Sequence, residues 1–153
     1  MTAIEDIRDV FRMLHDADIS AWTGDKNLLT LTINCGYLAE LIDKSFGKFY
    51  VSLYGIDKIE FDSWPNPPAD STILKTDLHD IFKAELQMNS ANIKDDKTIV
   101  VTCFQFDTEF DYCGGDLIFS CQSIKLFDHK KNEMTIEQLD KICNDYWNQW
   151  NKE

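Results

Sequence analysis

One short stretch of the sequence places carboxylates at alternate positions. Asp107, Glu109 and Asp111 are separated by single residues, and Asp116 follows shortly afterwards. Alternate residues of an extended chain point to the same side, so in an extended conformation Asp107, Glu109 and Asp111 would share one face. Such a face could bind a basic protein partner through complementary charge. The alternatives are a solvated strand edge that resists aggregation and a bound cation. We predict that these four acids form the partner-binding site.

Two His-Asp pairs, His15-Asp16 and His79-Asp80, contain the residue types of a metal-dependent phosphohydrolase site. Such a site needs further His and Asp ligands on neighbouring helices, and this chain has only three histidines. The pairs therefore favour a structural role at a turn or helix end, where Asp16 or Asp18 would accept hydrogen bonds from backbone N–H groups. We predict no metal and no cofactor.

Motifs for covalent catalysis or phosphate binding are absent from the sequence. There is no G-x-S-x-G motif, and the adjacent glycines Gly114 and Gly115 suit a hairpin turn better than a phosphate loop. The five cysteines show no C-x-x-C spacing, and most lie in or beside apolar runs, which predicts buried thiols in a reducing, cytoplasmic compartment. These features favour a non-enzymatic protein, although an active site built from scattered residues would leave no such motif.

Acidic residues dominate the charge of the chain. Asp and Glu number 27 against 15 Lys and Arg, which gives a formal charge of -12 that is spread over both halves. A field of this sign disfavours nucleic acid and anionic membranes as ligands and favours basic partners, although it also keeps a protein soluble. No run reaches the roughly 18 apolar residues of a membrane span, and no signal peptide is predicted.

An amphipathic helix is predicted at the N-terminus. Apolar residues recur at helical spacing from Ile4 to Leu14, with charged residues between them. Thr2 and Glu5 have the spacing of a capping box, which would begin this helix.

A second helix is predicted near the C-terminus. Thr135 and Gln138 have capping-box spacing and precede a long apolar stripe. The stripe ends in Tyr146, Trp147 and Trp150, whose spacing favours the core over an interface.

The chain between these helices predicts about seven strands in hairpin order. Alternating apolar residues indicate the strands, and turn residues mark their ends. The predicted strands span 19–22, 28–34, 49–54, 58–64, 84–93, 98–106 and 117–127. Residues 36–45 suit a short helix, 65–68 a proline-rich loop, and 73–83 either a helix or a strand.

These elements predict an α+β fold. Strands joined by short turns pair antiparallel, and the missing β-α-β alternation disfavours a doubly wound sheet. We expect one domain over 1–153, with an antiparallel sheet of about six to seven strands, or a partly closed barrel, and a helix at each end.

The N-terminal segment resembles the opening of several small bacterial families. Its apolar-His-Asp-x-x-Ile pattern is formed by Leu14, His15, Asp16 and Ile19 and leads into a predicted hairpin. A Gly-Gly-x-Leu-x-Phe strand over 114–119 adds to the likeness. Some of these families are immunity proteins of polymorphic toxin systems. The resemblance implies a small, catalytically inactive protein that binds a partner, and it assigns no functional residue.

The sequence thus favours a non-enzymatic acidic binding protein, such as an immunity-type inhibitor of a toxin. The alternative is a small hydrolase or ligand-binding domain with a cleft between sheet and helix, lined by His15, Asp16 and a cysteine. A third hypothesis is a homodimer formed through the Trp147 and Trp150 end.

Overall fold

Two long strands form the centre of the fold. The computed structural model describes residues 1–35 and 47–151, so the short helix expected at 36–45 lies outside the described residues. The strands are β1 Asp18–Gly24, β2 Leu28–Asn34, β3 Lys48–Pro65, β4 Ile73–Lys75, β5 Leu86–Ile93, β6 Ile99–Phe104, β7 Tyr112–Phe127 and β8 Glu133–Met134. The helices are α1 Ile4–Met13, α2 Leu78–Ile81 and α3 Ile136–Asn151.

The eight strands of the described chain form one antiparallel sheet. Their order is β4-β3-β2-β1-β5-β6-β7-β8, and β3 also pairs with β7. This added pairing makes the sheet partly ring-like. The predicted α+β fold, its antiparallel sheet and its two terminal helices are confirmed, with one strand more than expected.

The hairpin predicted from residues 49–64 is wrong, because β3 runs through it without turning. Gly55 has a φ of 59°, and the register against β7 shifts between Ile56 and Lys58. These are the marks of a β-bulge, in which one extra residue bends a strand without ending it. A bulge uses the same residue types as a tight turn, which explains the error.

The turn predicted at Gly114 and Gly115 is also wrong, because both lie inside β7. A side chain on Gly114 would collide with the carbonyl oxygen of Cys103, and one on Gly115 with that of Asp62. These glycines therefore permit the close approach of neighbouring strands. The chain turns earlier, at residues 105–111.

Helix α1 covers the inner face of the sheet. Its buried side chains Ile7, Val10 and Phe11 pack towards β5 and β6, and the rings of Phe11 and Phe119 lie 5.2 Å apart. The capping box predicted at Thr2 is wrong, since Ala3 occupies the N-cap without a side-chain hydrogen bond. Met1 is instead tied to β7, where it exchanges two hydrogen bonds with the backbone of Ile124.

Helix α3 begins at the predicted capping box. The amide of Gln138 donates to Thr135 Oγ1 over 3.1 Å, and the amide of Thr135 donates to Gln138 Oε1 over 2.8 Å. The core role predicted for its aromatic end is wrong for Trp147, which is 48% exposed. Tyr146 is half-buried, and the side chain of Trp150 is not among those that the structure describes. None of the described helices is long and apolar enough to cross a membrane.

Candidate partner-binding surface

Carboxylates and aromatic rings meet on the outer face of the sheet, at one end of β3 and β7. Asp62 on β3 pairs directly with Asp116 on β7, and Leu74 on β4 pairs with Asp62 from the other side. Trp64 and Phe104 form the next row, with ring centroids 6.5 Å apart. All five side chains are half-buried or exposed. We call Asp62, Trp64, Leu74, Phe104 and Asp116 the acidic face.

The pairing of Asp62 with Asp116 is unfavourable in the free protein. Like charges directly opposite each other on antiparallel strands repel. Thr102 Oγ1 donates to Asp116 Oδ1 over 2.8 Å, which satisfies one oxygen but leaves the charge. Among the described residues, no Lys or Arg nitrogen lies within 4.0 Å of either carboxylate. The acidic face therefore exposes negative charge that the fold itself does not neutralise.

The extended conformation that would align the three acids is not adopted, because residues 105–111 form the turn between β6 and β7. Asp107 Oδ1 accepts a hydrogen bond from the amide of Glu109 over 2.9 Å. An Asp side chain that bonds the backbone two residues on stabilises a turn in place of a strand. Asp107, Glu109 and Asp111 are all exposed, but they do not share the face of a strand. We call residues 105–111 the acidic loop.

A buried amide, that of Gln105, holds the acidic loop in shape. Gln105 is 4% exposed, and its Nε2 donates to the carbonyl oxygens of Asp107 over 3.0 Å and Tyr112 over 2.8 Å. Its Oε1 accepts from the amide of Asp107. Next to this anchor, Phe106 is 71% exposed, the largest exposure among the large apolar side chains described. The loop thus presents an aromatic ring to solvent on a backbone held by hydrogen bonds.

A cleft of about 390 Å³ lies beside the acidic loop. Asp18, Glu85 and Asp107 contribute carboxylates to its lining, and Lys83 and Phe106 also line it. Burial raises the pKa of Asp18, and the charge of Glu85 raises it further. Asp18 belongs to the N-terminal motif, which the fold brings next to a loop nearly ninety residues later in the chain.

Two lysines brace the structure near the acidic loop. Lys83 Nζ lies 2.9 Å and Lys75 Nζ 3.5 Å from Asp80 Oδ1. The hydrogen bond from Lys83 is the main cause that lowers the pKa of Asp80. Lys75 also sits over the ring of Tyr112, 4.8 Å from its centroid, and burial raises the pKa of Tyr112. The carboxylate of Asp80 is therefore paired with lysine, in contrast to the carboxylates of the acidic face in the described chain.

The structure divides the four predicted site residues into two groups. Three of them, Asp107, Glu109 and Asp111, lie in the acidic loop. Asp116 lies on the acidic face, two residues after Gly114, which pairs with Phe104. Sequence reasoning missed Asp62, Trp64, Phe104, Asp18 and Glu85. The alternation of Glu60, Asp62 and Trp64 was a usable signal for an outward-facing row, but nothing local indicated its partner strands.

The two His-Asp pairs lie just after α1 and within α2. His15 Nδ1 lies 3.0 Å from the carbonyl oxygen of Arg12, and the amide of Asp16 donates to the carbonyl oxygen of Met88 over 2.7 Å. The second pair lies in α2, whose N-cap Asp77 accepts from the amides of His79 and Asp80. The segment 73–83, which suited helix or strand, therefore contains both β4 and α2.

The part of the chain that is described does not gather the ligands of a metal site. No cluster of three or more His, Cys, Asp or Glu side chains could hold a metal there. Burial raises the pKa of Cys121 to about 11 and that of Cys143 to about 12, so both thiols stay protonated at neutral pH. A groove of about 160 Å³ between α1 and the sheet is lined by Cys121, but not by His15 or Asp16.

Comparison with known proteins does not assign a family. No protein-family model, no curated protein and no solved structure matches this chain. The resemblance of the N-terminal motif to immunity-type families therefore stays a prediction, and the surface chemistry has to support any function.

Proposed function

We propose that this chain is a non-enzymatic binding protein that docks a basic protein partner on its acidic face and acidic loop, as an immunity-type inhibitor of a toxin would. The pairing of Asp62 with Asp116 across β3 and β7 is the observation that carries this proposal. An Arg or Lys of the partner placed between them would relieve their repulsion. The neighbouring rings of Trp64 and Phe104 could contact the cation or its apolar stem.

The exposed ring of Phe106 supports the same function. Aromatic side chains are frequent energetic anchors of protein interfaces. Because Gln105 already holds the acidic loop, little conformational entropy would be lost when Phe106 enters a pocket of the partner.

Charge beyond the contact residues also suits a basic partner. Asp18, Glu85 and Asp107 extend the negative surface into the adjacent cleft. The formal charge of -12 would steer a basic protein towards this surface and raise the association rate. The predicted roles of Asp107, Glu109, Asp111 and Asp116 in binding are part of this proposal.

Site-specific photo-crosslinking tests the proposal. A benzophenone amino acid at position 106 should capture a partner in the native host, with the same label at the exposed residue Leu28, at the opposite end of the sheet, as a positional control. The captured protein is identified, purified and titrated by calorimetry against the wild-type chain and the variant Asp62→Asn/Asp116→Asn. We expect a partner with a basic contact surface and at least about tenfold weaker binding by the variant, or about 1.4 kcal/mol.

A matched variant separates docking from net charge. Glu137→Gln/Asp140→Asn removes the same two charges from exposed positions on α3 and should bind within about twofold of wild type. Equal weakening by both double variants would show only general attraction. Wild-type affinity in Asp62→Asn/Asp116→Asn, or capture of an acidic protein, would overturn the proposed function.

A further inference from the structure

A second cleft lies on the outer face at the opposite end of β3 and β7. It has a volume of about 360 Å³. Its floor is formed by two rows that the strand register aligns: Thr23, Thr30 and Ser52 in one, and Thr32, Tyr50 and Phe127 in the other. Lys131 closes one side. We call these seven residues the hydroxyl cleft.

The hydroxyl cleft is rich in hydrogen-bond donors. Thr30 Oγ1 and Ser52 Oγ lie 2.8 Å apart and bond each other, and Ser52 is only 5% exposed. A pair of hydroxyls needs one proton for its mutual bond, so the second O–H remains able to donate elsewhere. Thr23 and Thr32 add further hydroxyls, and no carboxylate lines the cleft.

The turn after β7 places an ammonium group over this cleft. The amide of Lys131 donates to the carbonyl oxygen of Asp128 over 2.9 Å, and Asp128 Oδ1 accepts from the amides of Lys130 and Asn132. Lys131 Nζ consequently lies 5.5 Å from the centroid of the Tyr50 ring. No Asp or Glu oxygen of the described chain comes within 4.0 Å of this nitrogen.

The neighbouring row repeats this pattern of lysine over tyrosine. Lys125 pairs with Ser52, and its Nζ lies 5.6 Å from the centroid of the Tyr54 ring. Positive charge, several O–H donors and the rings of Tyr50 and Phe127 therefore meet at one place on a chain of strongly negative charge. A carboxylate-free, donor-rich cleft of this kind matches a small anion with several oxygens and a flat apolar body.

We propose that the hydroxyl cleft binds a small phosphate ester with a ring-shaped body. The ammonium of Lys131 and the hydroxyls of Thr30, Thr32 and Ser52 would hold the phosphate oxygens. The rings of Tyr50 and Phe127 would contact the body of the ester. This site is separate from the acidic face, and neither function depends on the other.

Titration with phenyl phosphate tests the site, with amide NMR shifts of Thr30, Thr32 and Ser52 as the readout. We expect saturable shifts with a Kd of about 1 mM or tighter, equivalent to about 4 kcal/mol of binding. Inorganic phosphate, which lacks the body, and benzyl alcohol, which lacks the charge, should each bind at least about fivefold more weakly. Phenyl sulfate, with one charge fewer at neutral pH, should also bind more weakly.

A pair of adjacent lysines provides the matched control. Lys131→Met should weaken phenyl phosphate binding about tenfold, whereas Lys130→Met, which removes the same charge next to it, should change binding by less than about twofold. The proposal would be overturned by the absence of saturable shifts in the three hydroxyl residues. Equal effects of the two lysine variants, or equal binding of inorganic and phenyl phosphate, would overturn it as well.

Discussion

The acidic face and the hydroxyl cleft occupy two halves of the outer face on the same pair of strands, but their charged side chains have different surroundings. In the acidic half, Asp62 and Asp116 oppose each other and repel. In the other half, Thr30 and Ser52 are hydrogen-bonded to each other, and Lys125 and Lys131 lie over tyrosine rings. One half is therefore stabilising by itself, and the other carries a cost that a bound partner could offset.

The bulge at Ile56 separates these halves. The register between β3 and β7 is continuous from Tyr50 to Tyr54, shifts beyond Ile56, and resumes at Lys58. A bulge bends a strand and increases its local twist, so the surface on each side faces a different direction. Two ligands of opposite charge could thus occupy one sheet without competing.

The largest expected change in stability comes from loosening the acidic loop, which belongs to the negatively charged half. Gln105→Ala should lower the free energy of unfolding by about 2–3 kcal/mol, because the backbone groups of Asp107 and Tyr112 lose their partner. Urea denaturation measures this loss, and hydrogen exchange at the amide of Asp107 should accelerate. The exposed Gln122→Ala serves as control and should stay within about 0.5 kcal/mol. An unchanged Gln105→Ala protein would show that the loop does not depend on this amide.

Lowering the pH should change the stability contributions of Asp80, which is paired with Lys83, and of Asp18, which lines the cleft, in opposite directions. A lowered pKa, as for Asp80 beside Lys83, contributes stability above the unfolded value near 4, and this is lost as pH falls through the folded pKa. The raised pKa of Asp18 has the opposite effect on stability. The free energy of unfolding falls as the pH rises from the unfolded pKa through the folded pKa. At neutral pH we expect Asp80→Asn to destabilise by at most about 1 kcal/mol, given its exposure, and Asp18→Asn to stabilise slightly.

Unfolding of both variants in urea at neutral pH and below about pH 3 measures these differences. The effect of Asp18→Asn should vanish at the acidic pH, where its carboxyl is protonated in the folded and unfolded states alike. The effect of Asp80→Asn should shrink as the pH falls through the lowered folded pKa of Asp80. Destabilisation by Asp18→Asn at neutral pH would contradict the role assigned to burial.

Removal of one charge from each half should change stability in opposite directions. Asp62→Asn should stabilise the free protein by about 0.5 kcal/mol, because it ends the repulsion with Asp116. Lys125→Gln should destabilise it by about 0.5 kcal/mol through loss of the contact with Tyr54. Thermal unfolding of the two variants decides this, and the same sign for both would remove the contrast between the halves.

The smallest expected effect lies in the turn that carries Lys131. Its φ of 64° is left-handed, a conformation that glycine adopts more easily than other residues. Lys131→Gly should therefore raise the unfolding free energy by a few tenths of a kcal/mol, after the entropy cost of glycine is subtracted. Lys130→Gly should not stabilise, and calorimetric unfolding of the pair measures the difference.

Elements with a strong local signal were predictable from the sequence. The alternation of 28–34 matches β2 to the residue, and the capping box of Thr135 and Gln138 begins α3 as predicted. The alternation of acids after Phe106 would align them in an extended chain, but the hydrogen bonds of Gln105 and Asp107 close a turn there. That choice depends on a buried environment which β6 and β7 create together.

The sequence by itself determined the antiparallel character of the sheet, the two terminal helices and the negative charge, because periodicity, turn residues and composition act locally. Only the tertiary structure decided that β3 and β7 run as long partners across their bulge. That pairing sets Asp62 against Asp116 and gathers Thr30, Ser52 and Lys131 into one cleft. Strand register between distant segments depends on packing of the whole sheet, and no local pattern of residues encodes it.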